Sequence, residues 1–413
     1  MNKQSCVKLL LDCLSNRADK VTGIRMDRLL ISDWNSLIRE SVRYDVAPLL
    51  YSRLKKYSRI VTIPGTILQQ LEQIYFHTAA KNVLLYNDLS AVCSALGNEG
   101  IEVIALKGAH LACAVYDDIG LRPASDLDIL VKRRNLRRVE EILFRMGYGP
   151  AERPGIEEQC TVHHHLIPFT KQGKTPIEVH WTISPANSPF KIDLDGLWER
   201  AKRTALGGQP VLLLSPEDLL IHLCLHASFN HKFDNFEIKN ICDISEIILS
   251  YGNGIDWDKL VTITENCRIN KYVYSTLSLT ESLLGTKMPV SMRSLFTHDH
   301  ADTQMIETLK DYILLRSSFE EPGKLKKLRE AKKFRDKMSV VREGLFPSLA
   351  ALTKRYSLSV KSKKLPWYYI AYLFMVLMKG CVWITHATLK TETAISFLER
   401  ERKRSVIEKW LVS

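Results

Sequence analysis

Two aspartates one residue apart, Asp126 and Asp128, sit in the apolar stretch DLDILV (126–131), and a lone glutamate, Glu178, sits in PIEVHW (176–181). Read as strands, both stretches send alternate side chains to opposite faces. Asp126 and Asp128 then share one face, and Glu178 shares a face with His180. Three explanations are open for the aspartate pair: it binds a divalent metal, works as acid and base, or caps a strand end at the surface. Two unpaired buried carboxylates would be costly, and a hard cation such as Mg2+ removes that cost. If the Glu178 strand lies beside the aspartate strand, three carboxylates meet. Such a cluster can hold two metal ions, an arrangement suited to phosphoryl and nucleotidyl transfer.

Lys107 and Gly108 follow the apolar run IEVIAL (101–106). A glycine where a strand turns into a helix lets backbone N–H groups approach a phosphate, and the helix N-terminus favours negative charge. Lys107 and Arg122, the latter in GLRPAS (120–125), supply positive charge for a triphosphate.

These residues need elements to position them. Residues 1 to about 95 carry apolar side chains at helical spacing, and GNEG (97–100) ends that run. Next come a strand over IEVIAL, a helix over KGAHLACAVYDD, a strand over DLDILV and an amphipathic helix over KRRNLRRVEEILFRMGYG. HHHLIPFTK and PIEVHWTI read as two strands joined at QGKT. The result is an α/β unit of about one hundred residues. Helix resumes at LSPEDLLIHLCLHASFNH, with Ser215 as N-cap and Pro216 in the first turn.

The order LKG…GLR…DLDILV…GY…IEVHW resembles the nucleotidyltransferase superfamily typified by polymerase beta. More narrowly it resembles the uncharacterised bacterial family usually called nucleotidyltransferase family 5. LSPEDLLIHLCLHASFNH, ICDISEI and LFPS share that likeness, which covers most of residues 30 to 380. The resemblance implies an α+β fold: a small polymerase-beta-type core with a mixed sheet, embedded in mostly helical N- and C-terminal regions. The regions expected are a helical one over 1–96, the core over 97–206, a helical acceptor or lid domain over 207–300, and a basic C-terminal region over 301–413.

The resemblance also implies a reaction. A nucleoside monophosphate passes from an NTP such as ATP to a hydroxyl of an unknown acceptor, and pyrophosphate leaves. Two Mg2+ ions are implied, with Mn2+ as a substitute. Asp126 would bridge both ions, Asp128 would help hold them, and Glu178 would bind the ion that activates the nucleophile. Lys107, Gly108 and Arg122 are the implied phosphate contacts. His180 is either a proton shuttle, an acceptor contact or a structural histidine, and His226 and Asp243 are candidate acceptor-pocket residues. One departure stands out: the superfamily usually has Gly-Gly or Gly-Ser at the turn, and here it is Gly108-Ala109.

Composition narrows the alternatives. The nine cysteines are scattered without a CxxC pair, which fits reduced thiols in a cytoplasmic protein. The net charge of +12 is concentrated in the tail: residues 301–413 hold 23 Lys and Arg against 12 Asp and Glu. The catalytic half is nearly balanced, which argues against a polynucleotide acceptor and for a small molecule, a glycan or a protein. The apolar segment 365–389, with basic flanks, is expected to dock on the core, to make a peripheral contact at the inner face of a membrane, or to span the membrane. Adjacent histidines on a strand face opposite ways, so His163, His164 and His165 are not expected to converge on one ion. Two competing functions remain: a catalytically degenerate scaffold or regulatory protein that keeps the fold, and a metal-dependent glycosyltransferase using the DxD.

Overall fold

The computed structural model describes residues 3–17, 26–59, 62–150, 155–233, 238–289, 300–314, 365–388 and 392–412, with a few isolated positions besides. Most of the charged stretch 323–337 and of LFPS (345–348) lies outside the described residues. The chain divides into two units, one of residues 1–314 with 408–413 and one of residues 315–407.

The first unit opens with helices α1 (Lys3–Leu14), α2 (Ile31–Arg43), α3 (Ala47–Tyr57) and α4 (Gly65–Gly97). At 33 residues α4 is the spine of this part. Its buried Leu85, Leu89, Val92 and Leu96 recur at three- and four-residue spacing and pack into the core beneath the sheet. The sheet region follows as β1 (Ile104–Ala105), α5 (Lys107–Ala114), β2 (Leu127–Leu130), α6 (Leu136–Arg145), β3 (Gly149–Pro150), α7 (Ile156–Val162), β4 (Phe169–Thr170), β5 (Ile177–His180), α8 (Leu194–Arg200), β6 (Lys202–Leu206) and β7 (Gln209–Leu213). These strands form one seven-stranded sheet in the order β3-β4-β5-β2-β1-β7-β6. It is mixed: β2 runs parallel to β5 and β1 parallel to β7, while the other neighbours are antiparallel. All four residues of β2 are buried, as expected of a central strand covered on both faces.

The chain is thus the expected α+β fold, a mixed sheet flanked by helical regions. Details differ from the reading above. The strand expected over 101–106 is a two-residue ladder, extended by single bonds from Leu212 N to Val103 O and from Leu106 N to Asp128 O. The hairpin β6–β7 was not anticipated. It turns at Gly207 and Gly208, both at positive φ, the backbone a two-residue hairpin turn requires. Residue 206, taken as the end of the core, lies in this hairpin, and the sheet continues to Leu213.

The unit is completed by α9 (Pro216–Leu225), a π turn (His226–Asn230), α10 (Ile238–Tyr251), α11 (Trp257–Cys267), α12 (Asn270–Leu284) and α13 (His300–Leu314). Ser215 caps α9, its hydroxyl accepting from Asp218 N. In the second unit, α14 (Leu365–Thr388) covers the apolar segment, and α15 (Glu392–Val412) starts there and ends in the first unit. Among the described residues no helix is long and apolar enough to cross a membrane. The eight cysteines whose side chains are described are all free.

Candidate active site

The parallel pairing of β2 with β5 sets Asp128 directly opposite Glu178. Both side chains leave the same face of the sheet, with His180 two residues later on β5 and Asp126 in the bend immediately before β2, outside the strand expected to include it. His180 Nε2 lies 2.8 Å from Asp128 Oδ1 and 3.6 Å from Glu178 Oε2. Lys107, at the start of α5, sends Nζ to 2.7 Å from Asp128 Oδ1 and 4.0 Å from Glu178 Oε2. Its backbone φ is +39°, a left-handed conformation costing a side-chain-bearing residue on the order of 1 kcal/mol.

Charge explains the electrostatics. Burial alone would raise the Asp128 pKa, but the Lys107 charge and the His180 hydrogen bond outweigh it and hold the carboxyl well below its usual range. Burial likewise opposes charge on Lys107, and Asp128, followed by Glu178 and Asp126, raises its pKa instead. Asp126 is shifted up, first by burial and then by the charges of Asp128 and Glu178, while Lys107 and the hydrogen-bonding Ser125 hydroxyl pull it down.

The donor atoms of Asp128, Glu178 and His180 all lie within 4.8 Å of one another, so these three residues fit a single divalent ion. The two carboxylates suit Mg2+ or Mn2+, and the imidazole nitrogen favours Mn2+ over Mg2+. Asp126 is not part of this three-residue group, but it lines the same cavity of about 960 Å³, as do Lys107, Gly108 and Arg122.

The remaining candidates fall in two places. Arg122 and Asp243 meet each other: Arg122 Nη2 donates to Asp243 Oδ2 at 2.8 Å and Nε to Oδ1 at 3.2 Å, while Tyr116 donates to Oδ1 at 2.8 Å. This cluster is buried, and Arg122 Nη1 is spent on Pro123 O at 2.9 Å. The bond from Asn82 Nδ2 to Arg122 O (2.8 Å) fastens the segment to α4. His226 lies on the π turn and lines the cavity, with burial and then the Lys107 charge holding its pKa well down.

Sequence reasoning missed several lining residues. His164 and His165 were expected to diverge, yet both line the cavity, with rings 5.4 and 5.1 Å from that of His180. Only His165 makes a β-bridge, to His180, so strict strand alternation does not govern the pair. Burial, followed by His180, keeps His164 neutral with a pKa pushed down to about 2. Asp88 on α4 accepts from Lys174 Nζ at 2.8 Å, Thr175 N at 2.9 Å and Thr175 Oγ1 at 3.0 Å, fixing the turn that leads into β5. No local pattern ties Asp88 to that turn, since the partners are 86 and 87 residues apart.

Comparison with solved structures finds partial likenesses. One is to the antibiotic-resistance factor ANT(2'')-Ia, at 13% identity and a TM-score of 0.32 over 46% of this chain and 92% of that one. Another is to an antigenic nucleotidyltransferase-like protein from Paracoccidioides brasiliensis, at 18% identity and a TM-score of 0.31 over 52% of this chain and 96% of that one. No curated protein matches the chain. Residues 32–285, more than half of the chain and including every residue of the carboxylate cluster, match a family described as uncharacterised nucleotidyltransferase, and the chain belongs to that family.

Proposed function

We propose that the protein is a metal-dependent nucleotidyltransferase that moves a nucleoside monophosphate from an NTP to an acceptor hydroxyl and releases pyrophosphate. The observation that carries this reading is the register of β2 on β5, which sets Asp128 against Glu178 beside Asp126 and Lys107 in one cavity. A divalent ion at this cluster supplies charge neutralisation on the phosphates and lowers the pKa of the attacking hydroxyl.

The chain's own residues do the rest. Gly108 lets the backbone at the start of α5 approach the phosphates, and Lys107 offers them its ammonium. His180 holds the Asp128 carboxylate in one orientation. Asp126, less buried than Asp128 and outside the three-residue ion group, is the carboxylate a hydroxyl can reach, and it takes the one proton as the bond from the α-phosphorus to pyrophosphate breaks. A cavity of about 960 Å³ is at the upper end of small-molecule sites, with room for a nucleotide and an acceptor group together. The charge balance of the first 300 residues favours a small molecule, a glycan or a protein side chain as acceptor over a polynucleotide.

The test is pyrophosphate release from NTPs with Mg2+ or Mn2+ across an acceptor panel. The double variant Asp126→Asn/Asp128→Asn should lose at least about a thousandfold in rate. Unchanged turnover in that variant would eliminate the site. A catalytically silent protein is the second reading, favoured by one observation: Lys107 Nζ pairs with Asp128 at 2.7 Å and itself supplies a counter-charge to the cluster. Calorimetry separates the two, because a silent protein gives no metal-dependent heat with nucleotide.

A further inference from the structure

Lys107 borders the ground that a bound ion would need. Its Nζ is 2.7 Å from Asp128 Oδ1, within hydrogen-bond distance of the most buried oxygen donor of the cluster, and 4.0 Å from Glu178 Oε2. Since the Asp128, Glu178 and His180 donors lie within 4.8 Å of one another, the ammonium sits at the edge of the volume an ion would fill. Among the described residues its ion pairs are these two, both with cluster carboxylates. A lysine head is a compact point charge on a flexible four-carbon stem, suited to changing partners without moving the backbone.

We propose that Lys107 is the resident counter-ion of the carboxylate cluster and exchanges partners during substrate binding. Without a divalent ion it neutralises Asp128 and Glu178. When an ion is bound it gives up Asp128 and turns to the triphosphate, the next anion within reach of the same stem. The inference rests on the metal-dependent reading of the site and adds a coupling to it. Lys107 weakens binding of the ion alone and strengthens binding of the triphosphate once the ion is present, so each ligand favours the other through one side chain. A plain phosphate contact would do only the second of these.

The experiment uses the full chain stripped with EDTA, with Mn2+ alone as first probe and inorganic tripolyphosphate at saturating Mn2+ as second. Lys107→Met should bind Mn2+ alone about tenfold more tightly than wild type, and tripolyphosphate about tenfold more weakly. Lys107→Arg, which keeps the charge, should stay close to wild type in both. In EDTA, Lys107→Met should melt below wild type, because Asp128 and Glu178 lose their counter-ion, and Mn2+ should close that gap. A variant that folds only in Mn2+ is the same result carried further, and supports the proposal. Mn2+ affinity in Lys107→Met no higher than in wild type overturns it. Asp128→Asn tells which layer failed. If that variant binds Mn2+ as wild type does, the metal reading fails and takes the exchange with it. If it loses Mn2+ while Lys107→Met shows no gain, only the exchange fails.

Discussion

Asp88 and Thr175 are joined by two hydrogen bonds, from the Thr175 backbone N (2.9 Å) and hydroxyl (3.0 Å) to the same carboxylate oxygen, and this clamp stands two residues before β5 begins. The strand then enters in register with β2, tied by Leu127 N to Pro176 O (2.8 Å) and Val131 N to His180 O (2.9 Å). A slip of one residue would turn Glu178 to the other side of the sheet. Asp88 thus positions Glu178 from a helix that carries none of the cluster carboxylates. Asp88→Ala should fold, lose about 1–3 kcal/mol of stability in urea melts, and slow pyrophosphate release by about a hundredfold, the scale of a 1 Å misplacement. Full activity in the folded variant would show that the β2–β5 pairing fixes Glu178 unaided.

The buried Arg122–Asp243 pair allows its two possible roles to be separated. Removing one partner strands the other charge in the interior, so Arg122→Met should cost about 3–5 kcal/mol. The double variant Arg122→Met/Asp243→Leu should recover most of that loss, because neither charge remains to be desolvated. If Arg122 only braces the wall of the cavity, the double variant also recovers nucleotide binding. If Arg122 touches phosphates, stability returns and nucleotide affinity does not. Equilibrium denaturation and nucleotide titration on the three proteins decide between them.

Much of this site was legible because its parts announce themselves locally. DLDILV and PIEVHW carry acidic residues inside apolar, alternating runs, and Lys107-Gly108 marks the end of a buried run, so the strands and their inward carboxylates follow from period and burial cost. What escaped depends on distance or on short pairing. The β6–β7 hairpin hides in KRTALGGQPVLL, where Gly207-Gly208 is a turn signal but the exposed Lys202, Arg203 and Thr204 dilute the alternation. The convergence of His164 and His165 depends on an irregular backbone beside β5, and strand alternation misjudges it. The Arg122–Asp243 pair spans 121 residues, and nothing in either neighbourhood names the other.

Buried histidines shape the acid limb of stability, His110 and His222 among them. His110 and His222 are 0% and 1% exposed, and burial holds each pKa down to about 3, with the Lys107 charge adding to the effect at His222. In the unfolded chain each would titrate near about 6.5. Below that pH the unfolded state binds a proton that the folded state does not. Stability is therefore complete above about pH 6.5 and falls as the pH drops, until the folded pKa near about 3 is reached. Both ring nitrogens of His110 are buried without a hydrogen-bond partner among the described residues. His110→Leu should raise stability at neutral pH by about 1–2 kcal/mol and remove one proton from the slope between about pH 6 and 4. Urea denaturation at several pH values measures both, and an unchanged slope would mean that His110 takes up its proton without unfolding.

Gly108 is required for space. A Cβ there would lie 2.9 Å from both Ala124 Cβ and Arg122 Nη1. Neither neighbour yields easily, since Ala124 Cβ is fixed to the backbone and Nη1 is bonded to Pro123 O while the rest of the guanidinium is locked on Asp243. Gly108→Ala must therefore push the first turn of α5 away from residues 122–124, carrying Lys107 and the backbone of that turn with it. The expected cost is about 1–3 kcal/mol in stability, together with a KM for NTP raised about tenfold and a smaller change in kcat. Gly97→Ala, where a Cβ meets nothing within 4 Å, is the matched control and should alter neither. If the two variants bind NTP equally well, the close approach of α5 to the 122–124 segment has no part in holding the triphosphate.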